Sequence, residues 1–323
     1  MALTPESIVL KGPSLKPHEI SLLYDFIMTT HGGFLERRPG AKVLSFSLPD
    51  TGAVGGRRCS LLCDLVCIEG NLIAIGNRLG KGARGSVFSS FNLTQGVSTA
   101  VKIIHGVVFP GTDDDLSARV KRQVSLTRNM SSQRRQVLGP FIVKDSPEDS
   151  PTGTIHVSYL FSMPIAIGPL LKFMKRGSVN FVRVARSLLK QLHVLHTLHG
   201  FVHMDVKTDN VLVTQEGHIF LADYGEARPM RSVMQPFVGF KRENHPHMPP
   251  EMFATSTGHE GDTCSLVVDH SVDIFSLGYM IRSMMSFLDV PESANLRKLL
   301  NAMLAVDPRV RPTPLQALAY SLP

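Results

Sequence analysis

The chain has 323 residues, of which 43% are hydrophobic and 19% charged, and its formal net charge is +7. This length and composition are typical of a globular protein that can bury a substantial core. No apolar run approaches the length needed to span a bilayer, and the first residues lack the basic segment and apolar core of a secretory signal. Four cysteines suit a reducing compartment better than a disulfide framework. We therefore predict an intracellular protein, cytoplasmic or nuclear, without a membrane partner.

Residues 1–70 form an N-terminal extension whose role the sequence does not define. Residues 18–28 predict a short amphipathic helix, and residues 31–57 are rich in Gly, Pro and Arg, which predicts loops. The extension could pack on the following domain, recruit a substrate or partner, or remain mobile. Three of its cysteines recur at the four-residue spacing of one helix face: Cys59, Cys63 and Cys67. Small buried residues are favoured there over a metal site, which would need a fourth ligand.

A glycine-rich turn follows the extension. Residues 73–79 predict a strand that leads into Gly80, Gly82 and Gly85. Such a glycine pattern is weak evidence alone, and a dinucleotide-binding fold would require a helix directly after it. Residues 86–91 are instead β-branched and aromatic, which predicts a second strand. The pattern is therefore a strand, a glycine turn and another strand.

Four later segments also have a clear pattern. Residues 100–104 and residues 155–161 predict strands. Apolar residues recur at three- and four-residue steps between residues 181 and 195, which predicts a core-facing helix that ends just before Gly200. Residues 272–288 are apolar nearly all round, which predicts a buried helix.

The chemically most informative segment lies between residues 203 and 225. It contains Asp205, Lys207 and Asn210 within six residues, and Asp223 follows Asn210 after thirteen. One carboxylate, one ammonium, one amide and a second carboxylate at fixed offsets are the groups that phosphoryl transfer from ATP requires. The alternative is an Asp- and Asn-rich turn in some other fold. It is disfavoured because the other motifs of the chain occur in a matching order.

The spacing D-x-K-x-x-N…D-[FY]-G resembles the catalytic and metal-binding loops of eukaryotic-type protein kinases. The glycine turn and the strand of Lys102 resemble the same family's phosphate-covering loop and V-A-I-K strand. The resemblance covers roughly residues 72–320. It implies an α+β, bilobal protein-kinase-like fold with a small β-rich N-lobe and a larger helical C-lobe. The kinase-like domain would be residues 71–323, with the N-lobe at about residues 71–163 and the C-lobe at about residues 164–323.

The resemblance also implies an active site. Asp205 would orient the substrate hydroxyl and take its proton, and Lys207 would place positive charge beside the transferring phosphoryl group. Asn210 and Asp223 offer the hard oxygen ligands that Mg²⁺ prefers. Lys207 matches the serine/threonine form of the loop, which predicts a serine/threonine kinase with ATP and Mg²⁺ as cofactors and proteins as substrates. The residues assigned to ATP binding are Gly80, Gly82, Gly85, Val87 and Lys102.

Three segments further along the chain resemble structural elements of the family. Residues 248–251 stand in place of A-P-E, residues 272–278 resemble the D-x-x-S-x-G helix, and the segment around Arg311 resembles the closing element. By resemblance, Glu251 and Arg311 should form a buried ion pair. Asp273 should support the backbone of the catalytic loop.

The helix after Lys102 departs from the family pattern. Active kinases carry a glutamate there that pairs with the lysine, whereas the best alignment of this chain places Gln123 at that position. Gln123 lies beside an apolar stripe and could point inward, where it can accept a hydrogen bond from Lys102 but supplies no charge. One of the aspartates at residues 113–115 could substitute if the helix begins early. This departure keeps open a nucleotide-binding pseudokinase or scaffold, or a kinase that needs an activating partner.

Other departures concern regulation and origin. Met204 replaces the arginine that ties the catalytic loop to a phosphorylated activation loop, which predicts activity without that switch. Residues 239–240 read Gly-Phe where serine/threonine kinases usually have glycine and threonine, which predicts unusual substrate docking. Tyr224 and the phrase at residues 205–208 resemble some herpesvirus kinases, which suggests a viral kinase.

A basic cluster lies in and after the helix that carries Gln123. It could meet phosphate, an acidic substrate or an acidic partner. A solvated helix face is the commoner explanation, and nucleic acid is a disfavoured partner because no binding motif accompanies the charge and the chain has no Trp. The cluster consists of Arg119, Lys121, Arg122, Arg128, Arg134 and Arg135.

Overall fold

The chain divides into two compact units, Met1–Ile165 and Ala166–Pro323, each of which is described by itself. The lobe boundary predicted at residues 163 and 164 lies close to this division. The helix predicted at residues 18–28 lies outside the described residues. The computed structural model describes residues 43–47, 60–82, 85–108, 115–144, 155–174, 181–239, 241–253, 265–289 and 291–320.

The first unit is built on one antiparallel sheet of seven strands in the order β1-β2-β3-β4-β5-β7-β6. The strands predicted on both sides of the glycine turn, around Lys102 and at residues 155–161 are confirmed. The strands are β1 Val43–Ser47, β2 Ser60–Ile68, β3 Asn71–Gly82, β4 Gly85–Asn92, β5 Val97–Val108, β6 Leu138–Lys144 and β7 Ile155–Pro164.

Two strands come from the predicted extension and correct the expectations for it. Residues 31–57 were expected to be loops, yet β1 lies within them and pairs with β2. The helix face predicted for the cysteines is wrong, because β2 is a strand and its side chains alternate between the two faces of the sheet. Ile68 is buried in the core and Val66 packs against it, whereas Cys67 is exposed rather than buried. Cys59 lies outside the described residues.

Both faces of the sheet carry apolar clusters, because neighbouring residues of one strand point in opposite directions. On β5, Ile103 belongs to one cluster and Ile104 to the other. The second cluster includes Val120 and Val124 of helix α1, Asp115–Met130, so this helix covers the Ile104 face. Gln123 of the same helix is also buried.

The second unit is mainly helical, with short strand pairs that position its loops. The strand pairs are β8 with β10, β10 with β11, β9 with β12, and β13 with β14. The helices are α2 Leu170–Met174, α3 Phe181–Thr197, α4 His270–Leu288, α5 Ala294–Met303 and α6 Pro314–Leu318. The short strands are β8 Gly168–Pro169, β9 Phe201–Val202, β10 Val211–Val213, β11 Ile219–Leu221, β12 Arg228–Pro229, β13 Val233–Met234 and β14 Leu266–Val267.

The two long helices of this unit confirm their sequence patterns. In α3, Val184, Leu188, Leu192 and Leu195 are fully buried, as the three- and four-residue spacing predicts. Helix α4 is buried along most of its length and is capped by Asp269, whose side chain accepts a hydrogen bond from the Ser271 backbone nitrogen. In the part of the chain that the structure describes, no helix is long and apolar enough to cross a membrane.

Candidate active site

The glycine turn joins β3 to β4 in the first unit, with Gly82 paired to Gly85. Gly85 has a φ of 151°, and a Cβ atom there would collide with the carbonyl oxygen of Ile103 on the neighbouring strand. Glycine is therefore required at this position by the fold itself. A Cβ atom at Gly80 would meet no atom within 4 Å, and one at Gly82 would meet only the Gly85 carbonyl oxygen at 3.9 Å. The described residues thus leave open space at these two glycines.

The register of the sheet brings Val87 and Lys102 together. Lys102 pairs with Val87 of β4 on one side and with Phe161 of β7 on the other. Directly paired residues of antiparallel strands present their side chains on the same face. Phe161 belongs to the cluster that α1 covers, so the Lys102 side chain lies on that face and is only 8% exposed. A buried lysine faces the layer that contains the buried Gln123, as the alignment of the helix predicts.

In the second unit, the catalytic loop holds Asp205 with two neighbouring side chains. The Lys207 ammonium donates to both carboxylate oxygens, at 2.9 Å to Oδ1 and 2.8 Å to Oδ2. The Asn210 amide nitrogen donates to Oδ2 at 2.9 Å and to the Asp205 carbonyl oxygen at 2.8 Å. The 3₁₀ turn Thr208–Asn210 makes this possible, because it folds the amide back onto a residue five positions earlier. Their short separation in the sequence and this turn together bring the three groups into contact.

The protonation state of Asp205 follows from these contacts. Burial by itself raises the pKa of the carboxyl group, but the His247 ring, the Lys207 ammonium and the Asn210 amide lower it to about 2. Asp205 is therefore a carboxylate at neutral pH and can accept a hydrogen bond from a hydroxyl group.

Asp223 lies two residues beyond the end of β11, the second strand of the pair that follows Asn210. The backbone nitrogen of Ala222 donates to the Asn210 carbonyl oxygen at 2.8 Å, which joins the two segments at one end of the β10–β11 hairpin. Asp223 has a left-handed φ of 65° and accepts from the Gly225 backbone nitrogen at 3.3 Å. Because the Asn210 amide directs its nitrogen to Asp205, its oxygen is the atom left for a cation. Asn210 and Asp223 thus provide an amide oxygen and a carboxylate, which fit Mg²⁺.

Tyr224, next to Asp223, is part of the core. Its hydroxyl donates to the Leu221 carbonyl oxygen at 3.0 Å, and its ring lies 5.0 Å from that of His203. Burial raises the pKa of Tyr224 and lowers the pKa of His203. His203 is therefore neutral, and its Nε2 lies 3.1 Å from the Ala222 carbonyl oxygen. These contacts hold the Asp223 segment against the catalytic loop.

Asp273 of helix α4 supports the catalytic loop, as the resemblance predicts. Its Oδ2 accepts from the His203 backbone nitrogen at 2.7 Å and from His196 Nε2 at 2.8 Å. Its Oδ1 accepts from the Met204 backbone nitrogen at 2.9 Å. The carboxyl group is fully buried, and although burial opposes ionisation, the hydrogen bond from His196 and its other donors lower its pKa. The sequence analysis missed His196 as a partner of Asp273. It is one of 13 histidines in the chain, and no motif or spacing distinguishes it from the others.

The predicted ion pair of Glu251 and Arg311 is also present. The guanidinium contacts both carboxylate oxygens, at 2.6 and 2.8 Å, and its side chain is fully buried. It also donates to the carbonyl oxygens of Ser271 and Ala305. This fork geometry anchors the end of the segment that begins at Asp223.

Met204 lies in an apolar cluster instead of making an ionic contact. It is buried, with a φ of 70°, against Met234, Met252 and Val272. Met234 and Met252 of the following segment therefore pack on the catalytic loop through apolar contacts at Met204, the position where the family pattern has an arginine.

A histidine that the sequence reasoning missed lies beside Asp205. His247 Nε2 is 3.7 Å from Asp205 Oδ1, and its side chain is 18% exposed. No motif or period in the sequence marks this residue, because its place depends on the path of the loop before Glu251.

Comparisons with known proteins agree with this geometry. The family described as "Protein kinase domain" matches residues 73–292, which is more than half of the chain. The chain belongs to the protein kinase family. The predicted superfamily and bilobal kinase fold are therefore confirmed. The viral origin stays a prediction.

The sequence relatives match this chain at low identity, and several are named as protein kinases. Mitogen-activated protein kinase kinase kinase 3 of Arabidopsis thaliana is 29% identical over 213 residues, covering 65% of this chain and 31% of that protein. Mitogen-activated protein kinase kinase 7 of Arabidopsis thaliana is 28% identical, covering 63% of this chain and 60% of that protein. Cell division control protein 7 of Schizosaccharomyces pombe is 29% identical, covering 51% and 15%. The chain thus matches less than two thirds of the length of each of these relatives.

Solved kinase structures share the fold. The "ROP18 kinase domain in complex with AMP-PNP and sucrose" has a TM-score of 0.55 and 21% identity, with 78% of each chain covered. The "Toxoplasma gondii specific rhoptry antigen kinase domain" has a TM-score of 0.55 and 19% identity, covering 80% of this chain and 83% of that one. At this identity the likeness concerns the fold alone.

Proposed function

We propose that this kinase-family chain is an active serine/threonine protein kinase that transfers the γ-phosphoryl group of ATP to protein hydroxyls. The observation that carries the proposal is the state of Asp205. Its carboxylate is held by Lys207 and Asn210, and its pKa of about 2 keeps it ionised, as a hydrogen-bond acceptor for a substrate hydroxyl must be.

Each remaining residue has a role that its surroundings support. Lys207 would place its ammonium between Asp205 and the transferring phosphoryl group, where charge develops. Bound Mg²⁺ would neutralise phosphate charge, and Asn210 and Asp223 are the oxygen donors that would hold it. Lys102 would contact the α- and β-phosphates, and the backbone of the glycine turn would cover them.

The open space at Gly80 and Gly82 supports the phosphate-binding role. Gly85 is needed by the fold, but the other two glycines meet no crowding that would exclude a side chain. Their lack of side chains is explained by the close approach of a ligand to the backbone. Val87, paired with Lys102, would offer an apolar surface beside that ligand.

A second candidate function is a nucleotide-binding pseudokinase or scaffold. The observation that favours it is Gln123, which is buried on the Lys102 side of the sheet but carries no charge. The lysine would then be held less firmly than by a glutamate. An activating partner could fix Lys102 in place, in which case the isolated chain would bind nucleotide but transfer phosphate slowly.

The deciding experiment measures phosphate transfer from labelled ATP with Mg²⁺ to generic basic and acidic proteins. Asp205→Asn and Lys102→Met should each abolish transfer, whereas Asp209→Asn should not, because Asp209 is an exposed carboxylate of the same loop. Phosphoamino-acid analysis should find phosphoserine or phosphothreonine. Absence of transfer together with a higher melting temperature in Mg-ATP would support the pseudokinase. Absence of both would contradict the proposal.

A further inference from the structure

The hydrogen bonds of Asp205 leave one oxygen with an open position. Each carboxylate oxygen can accept about two hydrogen bonds. Oδ2 accepts from Lys207 and from Asn210, which fills it. Among the hydrogen bonds of the described residues, Oδ1 accepts only from Lys207. A substrate hydroxyl that donates to Asp205 would therefore bind at Oδ1.

His247 lies next to that open position. Its Nε2 is 3.7 Å from Oδ1, which is too far for a hydrogen bond but is the distance of a close ionic contact. This nitrogen is buried and has no hydrogen-bond partner among the described residues. Buried polar atoms without a partner are rare in folded proteins, and they often mark functional positions.

The surrounding loop keeps the imidazole in place. The backbone nitrogen of Met248 donates to the His245 carbonyl oxygen at 3.0 Å, which closes a turn around His247. Four residues beyond His247, Glu251 is fixed by the buried guanidinium of Arg311. The position beside Asp205 is therefore set by an anchored turn.

We propose that His247 is a positioning residue that controls access of the acceptor hydroxyl to Oδ1 of Asp205. This inference rests on the proposed function. When His247 is neutral and carries its proton on Nδ1, Nε2 donates no hydrogen bond and Oδ1 is open to the hydroxyl. When solvent protonates its Nε2, the imidazolium pairs with Oδ1 and excludes the hydroxyl. In the open state the substrate oxygen bonds to the γ-phosphorus, the bond from that phosphorus to the ADP oxygen breaks, and the hydroxyl proton moves to Oδ1.

Among the charged and titratable groups described near Asp205, a histidine is the group that fits a pH-dependent control of Oδ1. Lys207 contributes a positive charge from the catalytic loop, and it already contacts both oxygens of Asp205. His203 is buried and neutral because burial lowers its pKa. His245 lies in the same turn, with its ring centre 6.4 Å from that of His247. Asp205 stays ionised down to about pH 2, so its own titration does not change activity between pH 5 and 8.

A histidine at position 247 also fits the absence of the family's usual glycine–threonine pair at residues 239–240, which read Gly-Phe. Ser232 is the one hydroxyl-bearing residue between Gly225 and Pro249, and its Oγ donates to the Pro229 carbonyl oxygen at 2.6 Å. Among the described contacts, the segment therefore reaches Asp205 through His247 and not through a hydroxyl group. A histidine makes that contact sensitive to pH, which a threonine would not.

The test is the pH profile of kcat/KM between pH 5.5 and 8.5 for three variants of the full chain. His247→Gln cannot become charged, so its transfer at pH 6 relative to pH 8 should exceed that of the wild type by about threefold or more. His247→Lys is charged throughout, so its transfer should fall about tenfold at pH 8 and by a smaller factor at pH 6, where the proposal has the wild type itself inhibited. His218→Gln, at an exposed histidine, is the matched control and should keep the wild-type profile. Equal losses in both His247 variants at all pH values, or an unchanged profile in His247→Gln, would overturn the inference.

A second measurement does not depend on activity. Nuclear magnetic resonance of labelled histidine should compare the His247 ring signals of the wild type with those of Asp205→Asn across the same pH range. The pH dependence of these signals should differ between the two proteins, because the Asp205 carboxylate lies 3.7 Å from Nε2 and its charge acts on the ring. The same pH dependence in both proteins would overturn the inference even if the protein is an active kinase. A difference in a protein that transfers no phosphate would refute the proposed function and leave the His247–Asp205 pair intact.

Discussion

Asp273 offers the sharpest test of how the catalytic loop is held. Its Oδ2 accepts two hydrogen bonds, from the His203 backbone and from His196, and its Oδ1 accepts one from the Met204 backbone. In Asp273→Asn, the single amide oxygen is best placed at the Oδ2 position, which opposes the amide NH₂ to the Met204 N–H. One buried donor then loses its acceptor, at a cost of about 1–3 kcal/mol.

Asp273→Ala should cost more, because all three donors lose their partner. Removal of one member of a buried charged network typically costs about 3–5 kcal/mol. Asp269→Ala is the matched control on the same helix, since it removes one hydrogen bond to the Ser271 backbone nitrogen at the helix start. Loss of such a cap costs about 1 kcal/mol. The expected order of destabilisation is therefore Asp273→Ala, then Asp273→Asn, then Asp269→Ala.

Amide hydrogen exchange is the suitable assay, because it reports local opening at the affected residues. In Asp273→Asn the Met204 amide should exchange roughly fivefold to 150-fold faster, as a loss of about 1–3 kcal/mol implies. The His203 amide should change less in that variant and strongly in Asp273→Ala. Equal exchange of the Met204 amide in wild type and Asp273→Asn would refute the hydrogen-bond assignment. So would a larger effect from Asp269→Ala than from Asp273→Ala.

Three further predictions concern other parts of the site. Gly85→Ala should destabilise the first unit by about 3 kcal/mol in urea unfolding, because a Cβ atom there collides with the Ile103 carbonyl oxygen. Gly80→Ala should change the free energy of unfolding by less than about 0.5 kcal/mol. Equal losses in the two variants would contradict the difference in space around these glycines. Gln123→Glu should preserve the transfer rate or raise it by up to about tenfold, since a charged acceptor holds Lys102 more strongly; a large loss with an intact fold would show the helix alignment to be wrong. The pKa of Asp205, about 2 in the folded chain against an ordinary 3.8, stabilises the protein above about pH 4, and this contribution is lost as pH falls towards 2. Asp205→Asn should therefore reduce the free energy of unfolding by up to about 2 kcal/mol at pH 6 and by much less near pH 2.

The catalytic loop was predictable because its parts are close in the chain. One 3₁₀ turn suffices to fold the Asn210 amide back onto Asp205, and Lys207 reaches the same carboxylate from two positions away. The resemblance to protein kinases extended the prediction further. It anticipated the pair of Glu251 and Arg311, which are 60 residues apart in sequence.

Prediction failed where the surroundings of a residue, and not its neighbours in sequence, decide its structure. The apolar run of β2 is compatible with a helix or a strand. Its pairing with β1 and β3 selects the strand and exposes Cys67. The strand Val43–Ser47 was missed for the same reason. Residues that favour turns surround it in the sequence, and its pairing with β2 stabilises it as a strand.

The sequence by itself determined the chemical groups of the site and their local spacing, from the glycine turn to Asp205 and Asp223. Only the tertiary structure decided which oxygen of Asp205 stays open and that His247 lies beside it. It also decided that Met204 packs into an apolar cluster. The physical reason is that short-range periodicity and backbone geometry constrain residues within a turn or a strand. The path of a long loop depends on distant contacts such as the packing of Met204 with Met252, which no local pattern specifies.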